Sequence, residues 1–266
     1  MTTVDAYYTD ELAVATYELL TGSSSVAATG DVAFYLTCGR RFGDPVLELA
    51  VGTGRVAWQL ADAGLRVVGV DLSAAMLERA ARNGAERPAA VRERLTLHRA
   101  DMAAFSLAAA FPLAIIPYSA FQHLLAPERQ RSALACIHRH LMPGGHLVVD
   151  VFDPLLEHCI PGATSPMPDR EVVEPASGQL IRRRTLTRDN DPVRQTIAET
   201  FRLEVVGRSG EVIAQTETSF AVRWACRQEM AYLFELSGFE VVEQHSDFNC
   251  APPAYGKRQI WVVRRL

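Results

Sequence analysis

The sequence predicts an α/β protein: a mostly parallel sheet with helices on both faces, interrupted by an antiparallel β insertion. Three observations carry this. Apolar strand-like and amphipathic helix-like segments alternate from residue 46 to residue 152, the pattern of a parallel sheet joined by crossover helices. A glycine turn at Gly52 and Gly54 joins the first of those strands to a helix. The alternation then breaks over 154–222, where long β-like runs are separated only by turn sequences.

Taken in order, residues 1–42 read as helical. Between Glu11 and Leu20 apolar groups recur at helical spacing, Thr21 to Ser25 breaks the pattern, and Asp31 can cap a second helix to about Arg41. Strands are expected at 46–50, 66–71, 94–99, 112–117 and 146–152, with helices at 54–63, 73–82 (capped by Ser73) and 127–140. Right-handed crossovers place the loops that follow these strands along one edge, where ligands of such sheets bind. Pro154, Pro161, Pro166, Pro168 and Pro175 mark an irregular stretch. Runs at 179–187, 194–206 and 211–222 follow, divided by turns at 188–192 and 207–210. Turns this short imply an antiparallel meander. A helix over 224–236 and two last strands, from Gly238 and from Arg258, complete the chain.

Composition suits an ordinary globular enzyme, with 48% hydrophobic and 22% charged residues in 266. A net charge of −4 gives no reason to expect nucleic acid as a partner. No apolar run approaches the roughly 20 residues that span a bilayer, so no membrane association is expected. The five cysteines are scattered without a Cys-x-x-Cys pair, which fits reduced thiols in the cytoplasm and argues against zinc. The one lysine among 27 basic residues, Lys257, reflects codon bias.

The chemistry concentrates at the strand ends. Glycines at 52 and 54 let backbone approach a ligand, and the helix that follows offers free N–H groups. Sixteen residues after Arg55, the second strand ends on Asp71, where a carboxylate can accept from both ribose hydroxyls of a nucleotide-type ligand. Gly52, Gly54 and Ala57 also fit a dinucleotide fingerprint. The next blocks separate the two possibilities. Glu48 stands where an acid-x-Gly-x-Gly-x-Gly motif has its acid, with Ala50 in place of the first glycine. Asp101 and Met102 follow the third strand, the segment from Ile115 to Leu124 follows, and Leu141 to Asp150 comes last. In this order and spacing, these blocks resemble class I S-adenosylmethionine (SAM) methyltransferases over residues 46–153.

The resemblance implies a Rossmann-like seven-stranded sheet whose last strand enters antiparallel, and SAM as cofactor. It implies an N-terminal helical lid (1–42), a SAM-binding core (43–153), a β insertion over the active site (154–222), and a C-terminal helix with the last two strands (223–266). The insertion is similar to that of glycine and amino-sugar N-methyltransferases. Cofactor contacts are expected from Glu48, Ala50, Gly52, Gly54, Asp71, Leu72, Asp101, Met102, Tyr118 and Tyr17, and catalytic roles from His123 and Tyr8. A structural role for His123 is the alternative. The expected reaction moves a methyl group by in-line displacement to nitrogen or oxygen of a small molecule, in a monomer or homodimer. An NAD(P)-dependent oxidoreductase and a non-catalytic SAM-binding subunit are the alternatives. Arg182, Arg183 and Arg184 read as a solvated strand edge, with recognition of an acidic substrate as the other option. Asp150 and Asp153 invite a metal, but the fourth strand ends in Pro117, Tyr118 and Ser119 without the acid a metal site needs, so no metal is expected.

Overall fold

The computed structural model describes residues 5–21, 30–163 and 169–266. The break expected through Ser25, and Pro166 and Pro168, lie outside them. The helices are α1 (Glu11–Thr21), α2 (Asp31–Phe42), α3 (Arg55–Asp62), α4 (Ala74–Gly84), α5 (Ala89–Arg92), α6 (Pro127–His140) and α7 (Arg227–Leu236). The core strands are β1 (Val46–Leu49), β2 (Val67–Asp71), β3 (Leu95–Arg99), β4 (Phe111–Ile116) and β5 (Leu141–Phe152). The insertion contributes β6 (Gly162–Ala163), β7 (Arg170–Val173), β8 (Leu180–Asp191), β9 (Thr196–Val206) and β10 (Val212–Arg223), and the chain closes with β11 (Phe239–His245) and β12 (Arg258–Arg265).

The main sheet runs β11-β12-β5-β4-β1-β2-β3. β1 to β5 are parallel, and β12 enters antiparallel between β5 and β11. Strand order therefore reverses between β1 and β4, and a crevice opens there at the carboxyl ends. Leu47, Leu49, Ala114, Ile116, Leu147 and Val149 bury one face against α6 and α7; Val46, Leu113, Ile115 and Val148 bury the other with α2 and α3. Both faces are covered, which explains strands written as continuous apolar runs instead of alternating ones. β5 starts five residues before the expected strand because Leu141 already pairs with Phe111 at its entry.

In the insertion, β8, β9 and β10 form an antiparallel meander, with β6 and β7 on the far side of β8. The expectation of a solvated edge at Arg182–Arg184 is thereby corrected. β8 is an interior strand, and its alternation sends the three arginines to different surroundings. Arg182 and Arg184 pair outward with Glu171, Glu204 and Asp169, whereas Arg183 turns inward to Glu199 and the Phe201 ring. The N-terminal segment ties this sheet to the core. Tyr7 packs on Phe201 and Phe220, Asp10 accepts from Thr216, and the backbone carbonyl of Tyr8 accepts from Ser73 at the start of α4.

Candidate active site

The crevice between the ends of β1 and β4 is a cavity of about 610 Å³, within the range of small-molecule sites. Its floor is the turn after β1. Ala50 and Gly52 both hold positive φ, 54° and 56°, so the turn takes the left-handed region even where alanine replaces glycine. The N–H of Gly52 donates to Asp71 Oδ2 and that of Ser73 to Oδ1, both at 2.8 Å. One carboxylate thus ties the ends of β1 and β2 together. Burial lifts the Asp71 carboxyl above its usual range, against the pull of these backbone N–H groups.

Leu72, Met76, Met102 and Leu125 supply an apolar stretch of wall beside Asp101. Asp101 accepts from the N–H of Ala103 at 2.8 Å and pairs with Arg129 in the first turn of α6. After β4, Tyr118 and Ser119 take consecutive positive φ values of 57° and 60°. Their backbone N–H groups donate to Asp150, which is fully buried and also receives the Tyr35 hydroxyl at 2.5 Å and Arg258. A buried carboxylate with four donors explains how a tyrosine and a serine are held in a conformation L-residues disfavour. It also leaves Asp150 fully occupied by protein groups, as Asp153 is by Gln259 and the N–H of Gly256.

Two expected contacts fall elsewhere. Gly54 does not line the cavity. Its φ of +79° and the closeness of Trp58, whose Cδ1 would lie 2.7 Å from an added Cβ, make it a packing glycine. Glu48 sits one layer behind the wall, 2% exposed, and among the described residues its Oε2 has no hydrogen-bond partner. Burial pushes its carboxyl up to about 8, with Arg55 opposing and Asp31 and Asp71 adding to the rise. The other ten expected residues are brought together around the crevice.

A second cavity of about 450 Å³ lies beneath the inserted sheet. It shares Tyr8, Tyr17, Tyr118 and His123 with the first. At this junction His123 Nε2 lies 2.8 Å from the Tyr8 hydroxyl and Nδ1 lies 3.1 Å from Asp5 Oδ2. Burial raises the Tyr8 phenol well above its ordinary pKa, so it is protonated and donates. Nε2 then accepts, and the Nδ1 proton faces Asp5. No sequence pattern marks Asp5 or Arg129 as a member of this site, and Asp150, which ends the last of the resembling blocks, invites only a metal when read from the sequence. Asp5 follows no periodic pattern, Arg129 lies in a helix start, and Asp150 reads as a strand end.

The comparisons with known proteins agree with this geometry. Residues 46–145 match a family described as a methyltransferase domain. Over 256 residues, 96% of each chain, the protein is 28% identical to the cypemycin N-terminal methyltransferase of a Streptomyces species. These matches support the class I SAM-dependent methyltransferase expected from the sequence. A stretch of 105 residues, 40% of this chain and 38% of the relative, is 36% identical to a dTDP-3-amino-3,6-dideoxy-α-D-glucopyranose N,N-dimethyltransferase of Streptomyces fradiae. In fold, the chain matches the CcbJ methyltransferase of Streptomyces caelestis with a TM-score of 0.77, 23% identity and 99% of both chains covered. It also matches the SAM-bound amino pentose methyltransferase CalS10 of Micromonospora echinaspora, with a TM-score of 0.68, 22% identity and coverage of 92% and 93%. The methyltransferase domain and the SAM-bound neighbour support SAM as cosubstrate. The oxidoreductase alternative is not favoured. Among the described residues no helix is long and apolar enough to cross a membrane.

Proposed function

We propose that the first cavity holds SAM, that the second holds a small-molecule amine, and that the methyl passes between them at the junction of Tyr8, Tyr17, Tyr118 and His123. The observation that carries this is the meeting of two separate cavities on one short set of polar side chains. In this assignment Asp71 accepts from the ribose hydroxyls, Asp101 faces the adenine amine, and Leu72 and Met102 pack on the base. The turn at Ala50 and Gly52 receives the methionine end. Glu48, whose unpartnered Oε2 sits behind that turn, helps orient the ammonium group through the loop. These are donors and acceptors of the kinds SAM presents. SAM supplies a methyl group already activated by its sulfonium.

The chain must then orient the acceptor lone pair, exclude water and take one proton. The 5–21 segment and the β insertion act as a lid over both ligands. Tyr8 takes the proton from the amine as its own hydroxyl proton moves to His123 Nε2, and the imidazolium so formed faces the Asp5 carboxylate. A nitrogen acceptor is favoured because the named relatives include an N-terminal methyltransferase and an amino-sugar N,N-dimethyltransferase. Five unpaired cysteines accord with a cytoplasmic enzyme.

The test uses methyl-labelled SAM with a panel of amino sugars, peptides with free N-termini and the corresponding N-acetylated compounds. Label should appear on amines and not on their acetylated counterparts, with S-adenosylhomocysteine (SAH) released in step. Label on hydroxyls of the acetylated compounds, or none on any amine, would reject the assignment.

A further inference from the structure

The second cavity is more basic than a site for a simple amine requires. Arg170, Arg183, Arg188 and Lys257 line it, against Glu157 and Glu199. Arg258 is matched by Asp150 behind the wall, and Asp153 by Gln259 and Gly256. Residues 1–4, 22–29 and 164–168 contain no acid, so no further side-chain carboxylate is available from them.

Arg170 and Arg183 stand directly opposite each other across the β7–β8 pair. They therefore share a face, an arrangement that is destabilising for like charges. Arg183 is balanced by Glu199. Among the described residues the Arg170 guanidinium has neither a hydrogen bond nor an ion pair.

Arg188 is under-used as well. Its Nη2 lies 3.2 Å from His158 Nε2, while His158 Nδ1 accepts from the N–H of Leu155 at 3.1 Å. Burial and Arg188 lower the His158 pKa, so the ring is neutral and only one of its nitrogens can accept. With Nδ1 engaged, the proton sits on Nε2, where Glu157 lies 3.8 Å away. Arg188 Nη2 then has no lone pair to meet, its buried Nε has no partner, and its Nη1 reaches only the half-exposed Glu157 at 4.0 Å. Among the described residues Arg170 thus keeps its charge unmatched, and Arg188, with only a long pairing to Glu157, keeps spare donors on the wall of the same cavity.

Resting on the assignment of the acceptor to this cavity, we propose that the acceptor carries an anionic group, a carboxylate or a phosphate, which Arg170 and Arg188 bind while its amine is held at Tyr8 and His123. The anion separates the opposed charges of Arg170 and Arg183 and receives the spare donors of Arg188. Guanidinium groups suit both oxyanions because they bind them in bidentate fashion. The basic wall also disfavours the protonated amine, which is the form unable to attack a methyl group.

The experiment titrates matched pairs onto the SAH-loaded enzyme: glucosamine 6-phosphate against glucosamine, and alanylalanine against its C-terminal amide. At least one anionic member should bind ten-fold or more tightly than its neutral twin, and the pair that does so identifies phosphate or carboxylate. In Arg170→Gln and in Arg188→Gln that ratio should fall to within about two-fold, with SAH affinity and melting temperature unchanged as the check on folding. Equal binding of both twins in each pair, a preference that survives both substitutions, or no binding by any of the four probes would overturn the proposal. Failure of SAH itself to bind would instead strike at the assignment of the first cavity.

Discussion

Glu48 is where burial predicts the largest measurable effect of pH. Its carboxyl is pushed from an ordinary 4.5 up to about 8, chiefly by burial. Between those values the folded protein keeps a proton that the unfolded chain releases. Stability contributed through this group is therefore fully present below pH 4.5 and is lost as pH rises through 8. Raising a pKa by one corresponds to about 1.4 kcal/mol, so the full loss is roughly 5 kcal/mol, and by pH 7 about 3 kcal/mol has gone. Glu48→Gln removes the titration while keeping nearly the same shape. Urea denaturation of the ligand-free proteins at about pH 5, 6, 7 and 8 reads the effect, because every other titrating group cancels in the difference. The variant should gain on the native protein by roughly 1.4 kcal/mol for each pH step across that window. A difference that stays constant from pH 5 to 8 would refute the reasoning and place the carboxyl in contact with water.

Two further substitutions separate chemistry from architecture. His123→Ala should leave SAM affinity nearly intact and lower kcat by roughly 10²–10⁴. Normal turnover in a less stable protein would make His123 a packing residue, and a raised KM at unchanged kcat would make it only a substrate contact. Asp150→Ala strands Arg258, whose side chain is 16% exposed, and should cost about 3–5 kcal/mol in denaturant unfolding. A cost under about 1 kcal/mol would show that water, not Asp150, satisfies Arg258 and the 118–119 turn.

How much is legible in the sequence follows from where each signal resides. The parallel core can be read because its strands are buried on both faces and one of its helices announces its start with a capping side chain. That side chain is Ser73, accepting from the N–H of Met76. The loop residues are legible because their positions are set by strand ends, and Asp71 lies where β2 stops. Gly54 misleads because a glycine needed for a close approach to a ligand and one needed for a close approach to Trp58 look identical in a sequence. The arginines of β8 mislead because an edge strand and an interior strand alternate alike until the partners β6 and β7 are known. Asp5 carries no local pattern, and Asp150 stands in a recognisable block whose sequence does not reveal that it holds the turn after β4. The hydrogen bonds from Tyr8 to His123 and from Tyr35 to Asp150 each span 115 residues, and only the folded topology brings those pairs together.

The central claim is that the crevice after β1 and β2 binds SAM through Asp71. Titration calorimetry with SAH on the native protein and on Asp71→Ala tests it most directly. Hydrogen bonds to a charged group are worth roughly 1.5–3 kcal/mol each, so losing the acceptor of two ribose hydroxyls should weaken binding by about 100-fold or more, with the fold retained. Equal affinity in the two proteins would contradict the account and move the nucleoside away from the end of β2.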